Sequence, residues 1–175
     1  DLNLEQLDYS TQALQEFNLR VPREFVQRMQ KGQPRDPLLL QILPQVAEMQ
    51  THPLYSQDPL VESKVNPIPG LLHKYKSRVL LTTSTSCGIH CRYCFRRHFP
   101  YAKNNPSLQD WQQAFTYIAQ HTEINEVIFS GGDPLTAPDS YLAKLTNQLA
   151  EIAHVKTLRI HTRMPIIIPQ RINSS

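Results

Sequence analysis

Nothing in this chain reads as a membrane anchor, and no apolar run approaches the roughly 20 residues a helical span requires. The N-terminus also lacks the basic, apolar, small-residue order of a signal peptide, so a cytoplasmic protein with no membrane partner is expected. Charge of one sign is scarce as well: 18 Lys and Arg against 15 Asp and Glu leave +3. That balance is too small to imply nucleic acid, and none is expected as a partner. Positive charge is concentrated only locally, over residues 73–78 and 92–98, which suits anionic small ligands. Internal repeats and low-complexity tracts are absent. Cysteine is rare: there are three, all between positions 87 and 94. An odd number crowded into one loop excludes a disulfide framework and suits metal ligation in a reducing compartment.

What is present is ordinary for a globular protein. The chain has 175 residues, 40% hydrophobic and 19% charged, which excludes disorder and allows one real core. Residues 1–70 read as helices broken by prolines, at 11–17, 22–29 and 37–43, followed by a proline-rich extended connector over 51–70. From residue 78 the pattern changes. Residues 79–83 form a β-branched and leucine run of strand length, residues 126–130 a second, and residues 156–161 a third. Between them lie two amphipathic helices. One carries Leu108, Trp111, Phe115 and Ile118 behind a Ser107 cap, the other Leu142, Leu145, Leu149 and Ile152.

Strand, loop and helix in repetition imply parallel strands whose following loops all open on one edge of the sheet. Three motifs fall on that edge: the cysteine loop, the turn Gly131-Gly132-Asp133, and His161-Thr162-Arg163. The expected fold class is therefore α/β. N-terminal helices (1–70) precede the first βα units of a truncated parallel barrel of the TIM type, an open half-barrel (71–175), with an unpaired edge after the third strand, near Ile166-Ile167-Ile168.

Cys87, Cys91 and Cys94 have the spacing C-x3-C-x2-C. Three thiolates can hold three irons of a [4Fe–4S] cluster and leave the fourth open to another ligand, whereas an electron-transfer cluster takes four. The same loop offers a second reading, a structural Cys3His zinc site completed by His98 in a basic nucleic-acid-binding module.

The spacing C-x3-C-x-aromatic-C, with Tyr93 at its aromatic position, resembles the signature of radical S-adenosylmethionine (SAM) enzymes. Over residues 35–172 the stretches HKYKSRVLL, TSCGIHCRYCFRRHFPY, FSGGDPL and RIHTRMPIIIPQRI resemble the lysine 2,3-aminomutase family. CRYCFRRHFPY is most similar to the member that serves translation elongation factor P. The resemblance implies that Cys87, Cys91 and Cys94 hold a [4Fe–4S] cluster and that SAM chelates its open iron. It puts Tyr93 near the adenine and Gly131, Gly132 and Asp133 at the SAM amino group. It makes Arg96 the grip on the substrate carboxylate, and it brings Lys74, Tyr75 and Arg78 to pyridoxal phosphate (PLP). Lys74 stands where better-known members have arginine.

The activity implied is transfer of the amino group of (S)-α-lysine from carbon 2 to carbon 3, giving (R)-β-lysine for modification of elongation factor P. The implied partners are lysine, an external electron donor and, indirectly, the ligase of that modification pathway. A catabolic lysine 2,3-aminomutase is the alternative within the family. None of the seven lysines matches the context of the family's PLP anchor, which lies beyond position 175, so the chain alone is expected to be inactive.

Overall fold

A computed structural model describes Leu2 and residues 9–173. The chain divides into two compact units, one comprising Asp1–Pro59, Gly88–His98 and Pro165–Ser175, the other Leu60–Cys87 and Phe99–Met164.

The second unit is built on a four-stranded sheet in the order β1 (Leu71–Tyr75), β2 (Arg78–Ser84), β3 (Glu126–Gly131), β4 (Thr157–Ile160). The three strands expected from the sequence are there and are parallel, with Arg78 beside Glu126 and Glu126 beside Thr157. Because the strands start in step, the loops after Ser84, Gly131 and Ile160 leave by the same edge. β1 is an addition: it pairs antiparallel with β2 through a tight turn that sets Tyr75 opposite Arg78. Its two leucines are buried while Lys74 and Tyr75 are exposed, and charge of this kind blunts an outer strand against further pairing.

Alternation in the strands sends Val79 and Leu81 of β2 and Val127 and Phe129 of β3 to one face. There they meet Trp111, Ala114, Phe115 and Ile118 of helix α3 (Leu108–Gln120) and Leu142, Leu145 and Leu149 of helix α4 (Asp139–Ala150). The Leu108 side chain lies outside the described residues. Ser107 caps α3 reciprocally: its hydroxyl accepts from the Asp110 N–H at 3.2 Å while Asp110 accepts from the Ser107 N–H at 2.8 Å.

The first unit has short helices, α1 (Thr11–Glu16) and α2 (Arg23–Val26), and two 3-10 turns, Leu39–Gln41 and Val46–Met49. The expected helix over 37–43 is reduced to a 3-10 turn, whose start Asp36 caps by accepting from the Leu38 and Leu39 N–H groups at 2.8 and 2.9 Å. Those bonds, with one from Gln30, hold the Asp36 carboxyl below its ordinary range. Phe25, Met29, Leu39, Ile42 and Leu43 form a core that also takes in Ile89 and Ile167. The third expected strand, β4, lies at an edge of the sheet as expected, and the Ile166-Ile167-Ile168 run that follows it is partly helical, in α5 (Met164–Ile167). No helix among the described residues is long and apolar enough to cross a membrane.

Candidate cluster and cofactor site

In the sheet unit the Gly-Gly-Asp turn is locked to the root of the cysteine loop. The Gly132 N–H donates to the Ser84 carbonyl at 2.7 Å, and the Asp133 N–H donates to the Ser86 carbonyl at 2.7 Å. Approach this close requires glycine. Gly131 sits at φ +115°, where an L side chain is strained, and a Cβ on Gly132 would overlap the Ser86 backbone. The Gly131 carbonyl in turn accepts from the Tyr101 hydroxyl at 2.8 Å.

Asp133 ties the next loop to the same turn. One of its oxygens accepts from the Thr162 hydroxyl at 2.6 Å and the Leu135 N–H at 3.1 Å, and the other accepts from the Arg163 N–H at 2.7 Å. The residue is 5% exposed, and its carboxylate keeps acceptor capacity for a further donor. Three post-strand segments are thus joined by hydrogen bonds among Ser84, Ser86, Gly132, Asp133 and Thr162. Of these the Gly-Gly-Asp turn and Thr162, within His161-Thr162-Arg163, stood out in the sequence, and Tyr101 stood out only as the end of an aromatic, basic stretch.

The three cysteines are half-buried and none is in a disulfide. Cys87 belongs to the sheet unit, directly after β2, while Cys91 and Cys94 belong to the helical unit. The last two are brought together by a turn in which the Cys94 N–H donates to the Cys91 carbonyl at 3.0 Å. Burial pushes the Cys94 thiol up, and the neighbouring Cys91 adds to the effect. Three thiols outside any disulfide fit an iron–sulfur cluster by donor type. Among the described residues no three His, Cys, Asp or Glu side chains converge into a ligand set, and His98 is exposed.

Around Cys91 and Cys94 the helical unit packs charge in an ordered way. Arg92 is 8% exposed and engages Glu48 through Nε at 2.9 and 3.1 Å and Nη2 at 2.6 Å. Its guanidinium also donates to the Phe17 carbonyl at 2.6 Å and the Ala13 carbonyl at 3.0 Å. Arg97 reaches the same Glu48 oxygen at 2.8 Å. Burial alone would raise the Glu48 carboxyl, but hydrogen bonds from Arg92, the Gln45 N–H and Arg97 outweigh it and hold the group below its ordinary range. Arg96 is buried too, at 7% exposure, with its guanidinium 4.9 Å from the Phe95 ring, and so is no solvated surface arginine. Tyr93 is 63% exposed.

Lys74, Tyr75 and Arg78 cluster at the β1–β2 turn, exposed, with Lys74 and Arg78 each within 6 Å of the Tyr75 ring centre at 5.9 and 5.7 Å. They stand at the opposite end of β2 from Ser84, about 20 Å away at roughly 3.3 Å per residue. Arg78 shares its strand face with Leu80 and Thr82, the side away from α3 and α4.

With this geometry in view, comparison with known proteins decides the family. A family model described as the radical SAM superfamily matches residues 81–172, more than half of the chain, from within β2 through the loop after β4. The chain belongs to the radical SAM superfamily. Its curated relatives in that superfamily include the L-lysine 2,3-aminomutase of Haemophilus influenzae, 50% identical over 173 residues, 98% of this chain and 51% of that protein. The Escherichia coli protein of the same name is 54% identical over 159 residues, 91% of this chain and 46% of its own length. That of Clostridium subterminale is 31% identical over 172 residues, 98% of this chain and 41% of its own length. The chain spans about half the length of the curated relatives it matches. The matched segment carries the second half of β2, all of β3 and β4, and the Gly-Gly-Asp turn.

Proposed function

We propose that this chain carries the cluster- and SAM-binding part of a lysine 2,3-aminomutase, the enzyme that shifts the α-amino group of lysine to carbon 3. The observation that carries the reading is likeness to enzymes of that name over nearly the whole chain, coupled to a cysteine loop and a Gly-Gly-Asp turn hydrogen-bonded at the same sheet edge. Cys87, Cys91 and Cys94 would hold the [4Fe–4S] cluster. Gly131 and Gly132 bring backbone close to the place where SAM would lie, and the remaining acceptor capacity of Asp133 suits its ammonium group. Tyr93, exposed in the cysteine loop, is the proposed adenine contact. Held by these residues, the cluster and SAM would supply radical chemistry, and PLP, held at its own site, would supply a conjugated system for an amino-group shift.

Lys74, Tyr75 and Arg78 are the proposed PLP phosphate contacts. Along β2 they lie about 20 Å from the Gly-Gly-Asp turn, farther than a radical formed at SAM could act, so this assignment rests on the family resemblance and not on the geometry of this chain. Arg96 is the proposed clamp on the lysine carboxylate. Its burial supports that role, because a shielded guanidinium binds a carboxylate more strongly than a hydrated one. The finer reading is production of (R)-β-lysine for elongation factor P, with an electron donor and, indirectly, the ligase of that pathway as partners. It rests on the CRYCFRRHFPY stretch, and a cytoplasmic location goes with it.

The test is β-lysine formation from L-lysine with SAM, PLP and reductant, in protein extended to the length of the aminomutases, with wild-type and Arg96→Lys side by side. Wild-type protein should form β-lysine. Arg96→Lys should bind the same iron yet turn over lysine at least about a hundredfold more slowly, since the charge survives but the planar fork does not. No β-lysine from the wild type would refute the aminomutase reading, and unchanged lysine kinetics in the variant would remove Arg96 from the substrate site.

A further inference from the structure

The cysteine loop is held chiefly by side chains that lie far away in sequence. Arg92 sits between Cys91 and Tyr93, and no nitrogen of its guanidinium points to solvent without a partner. Nε and Nη2 grip Glu48, Nη2 also donates to the Ala13 carbonyl, and Nη1 donates to the Phe17 carbonyl. The Arg92 backbone N–H is bound as well, to the Gln41 carbonyl at 2.8 Å. One residue before Cys91, the His90 N–H donates to the Arg20 carbonyl at 2.9 Å, its ring bonds the Asn18 carbonyl at 2.8 Å, and the ring stacks on Phe17 at 4.7 Å. Three residues after Cys94, Arg97 returns to Glu48. The guanidinium groups of Arg92 and Arg97 lie 5.2 and 5.1 Å from the Phe17 ring centre. One carboxylate therefore bridges two arginines that bracket Cys94. The same carboxylate is fixed in turn by the Gln45 N–H at 2.9 Å.

We infer that Glu48 and Arg92 are positioning residues: their buried pair sets where Cys91 and Cys94 stand, and the N-terminal segment is a template for the cluster loop. Neither residue is among the proposed cluster or SAM ligands; each acts through the backbone between the two thiols. A ligand site held to a fraction of an ångström needs supporting groups of this kind, and a three-thiolate site has no fourth ligand to correct a drifting loop. The inference rests on the cluster reading for its purpose, but its geometry can be tested without a cluster.

The experiment compares wild type, Arg92→Lys and Glu48→Gln. Lysine keeps the charge of Arg92 but cannot serve two carboxylate oxygens and two carbonyls at once. Glutamine keeps the shape of Glu48 but turns an NH2 group toward arginine donors and leaves two cations without a counter-charge. The first readout is the alkylation rate of each cysteine in reduced, metal-free protein, followed by mass spectrometry of the peptides. Cys91 and Cys94 should react about tenfold faster in either variant, while Cys87, in the other compact unit, keeps its wild-type rate. Acceleration at all three cysteines would reduce the pair to general stability, and no acceleration would remove its role; either result overturns the proposal. The second readout is the electron paramagnetic resonance signal of the reduced, reconstituted cluster, which should broaden in the variants and respond less to SAM. A wild type that assembles no cluster defeats the cluster reading alone, since the alkylation pattern still decides the positioning role.

Discussion

Gly132→Ala is expected to destabilise the sheet unit by about 2–4 kcal/mol, and Gly131→Ala by a similar amount. The causes differ. At Gly132 the new Cβ meets the Ser86 carbonyl carbon at 2.7 Å and its nitrogen at 2.9 Å, backbone atoms that have no rotamer to move into. At Gly131 the strained φ of +115° adds to a collision with the Ser84 carbonyl and a contact of 3.0 Å with the Thr82 methyl. Gly32 is the control. It too has positive φ, at +70°, but a Cβ there meets nothing within 4 Å, so Gly32→Ala should cost only about 1 kcal/mol. The single tryptophan, Trp111, lies in the sheet unit's core and reports on that unit by fluorescence during urea unfolding. The midpoint should fall clearly for Gly131→Ala and Gly132→Ala and stay near wild type for Gly32→Ala. An unchanged midpoint for Gly132→Ala would mean that the turn does not rest on the cysteine-loop root.

Loss of any one thiolate should have a larger effect still. Replacing Cys87, Cys91 or Cys94 by Ala leaves two protein ligands for a cluster that needs three to keep a single open iron. Each variant, reconstituted anaerobically, should lose the brown colour and bind iron at less than about a tenth of the wild-type level. His98→Ala should keep both, because the exposed His98 has no place in a cluster held by three thiolates. The reverse pattern, with His98→Ala losing its metal, would turn the loop into a Cys3His zinc site.

The sequence showed the parallel strands because each is a run of β-branched and apolar residues followed at once by a change of pattern. β3 is the clearest case, with all six residues buried. α3 was legible for a similar reason: its apolar spacing and its Ser107 cap are both local signals. β1 was not, since Leu71-Leu72-His73-Lys74-Tyr75 offers two apolar residues followed by a basic stretch, and only the pairing with β2 makes it a strand. α5 was not legible either, because the β-branched run Ile166-Ile167-Ile168 carries no helical signal of its own and its first two residues enter a helix whose Ile167 fills a core.

For the site, spacing alone exposed the cysteines, and the family resemblance singled out Gly131, Gly132, Asp133 and Arg96. Glu48 escaped notice because its partner Arg92 is 44 residues away, and an isolated glutamate in a polar stretch carries no sign of burial. The bonds of Thr162 to Asp133 and of Tyr101 to the Gly131 carbonyl were hidden likewise, since they arise only when the sheet brings the loops together.

The central claim is that this loop holds an iron–sulfur cluster with one iron open to SAM. It is tested most directly by anaerobic reconstitution of the wild-type chain with iron, sulfide and zinc all present. Metal and acid-labile sulfide are then measured, and the electron paramagnetic resonance spectrum of the reduced protein is recorded before and after SAM is added. The account predicts iron with acid-labile sulfide, little zinc, and a spectrum that SAM changes. Zinc without sulfide, or a cluster whose spectrum is indifferent to SAM, would contradict it.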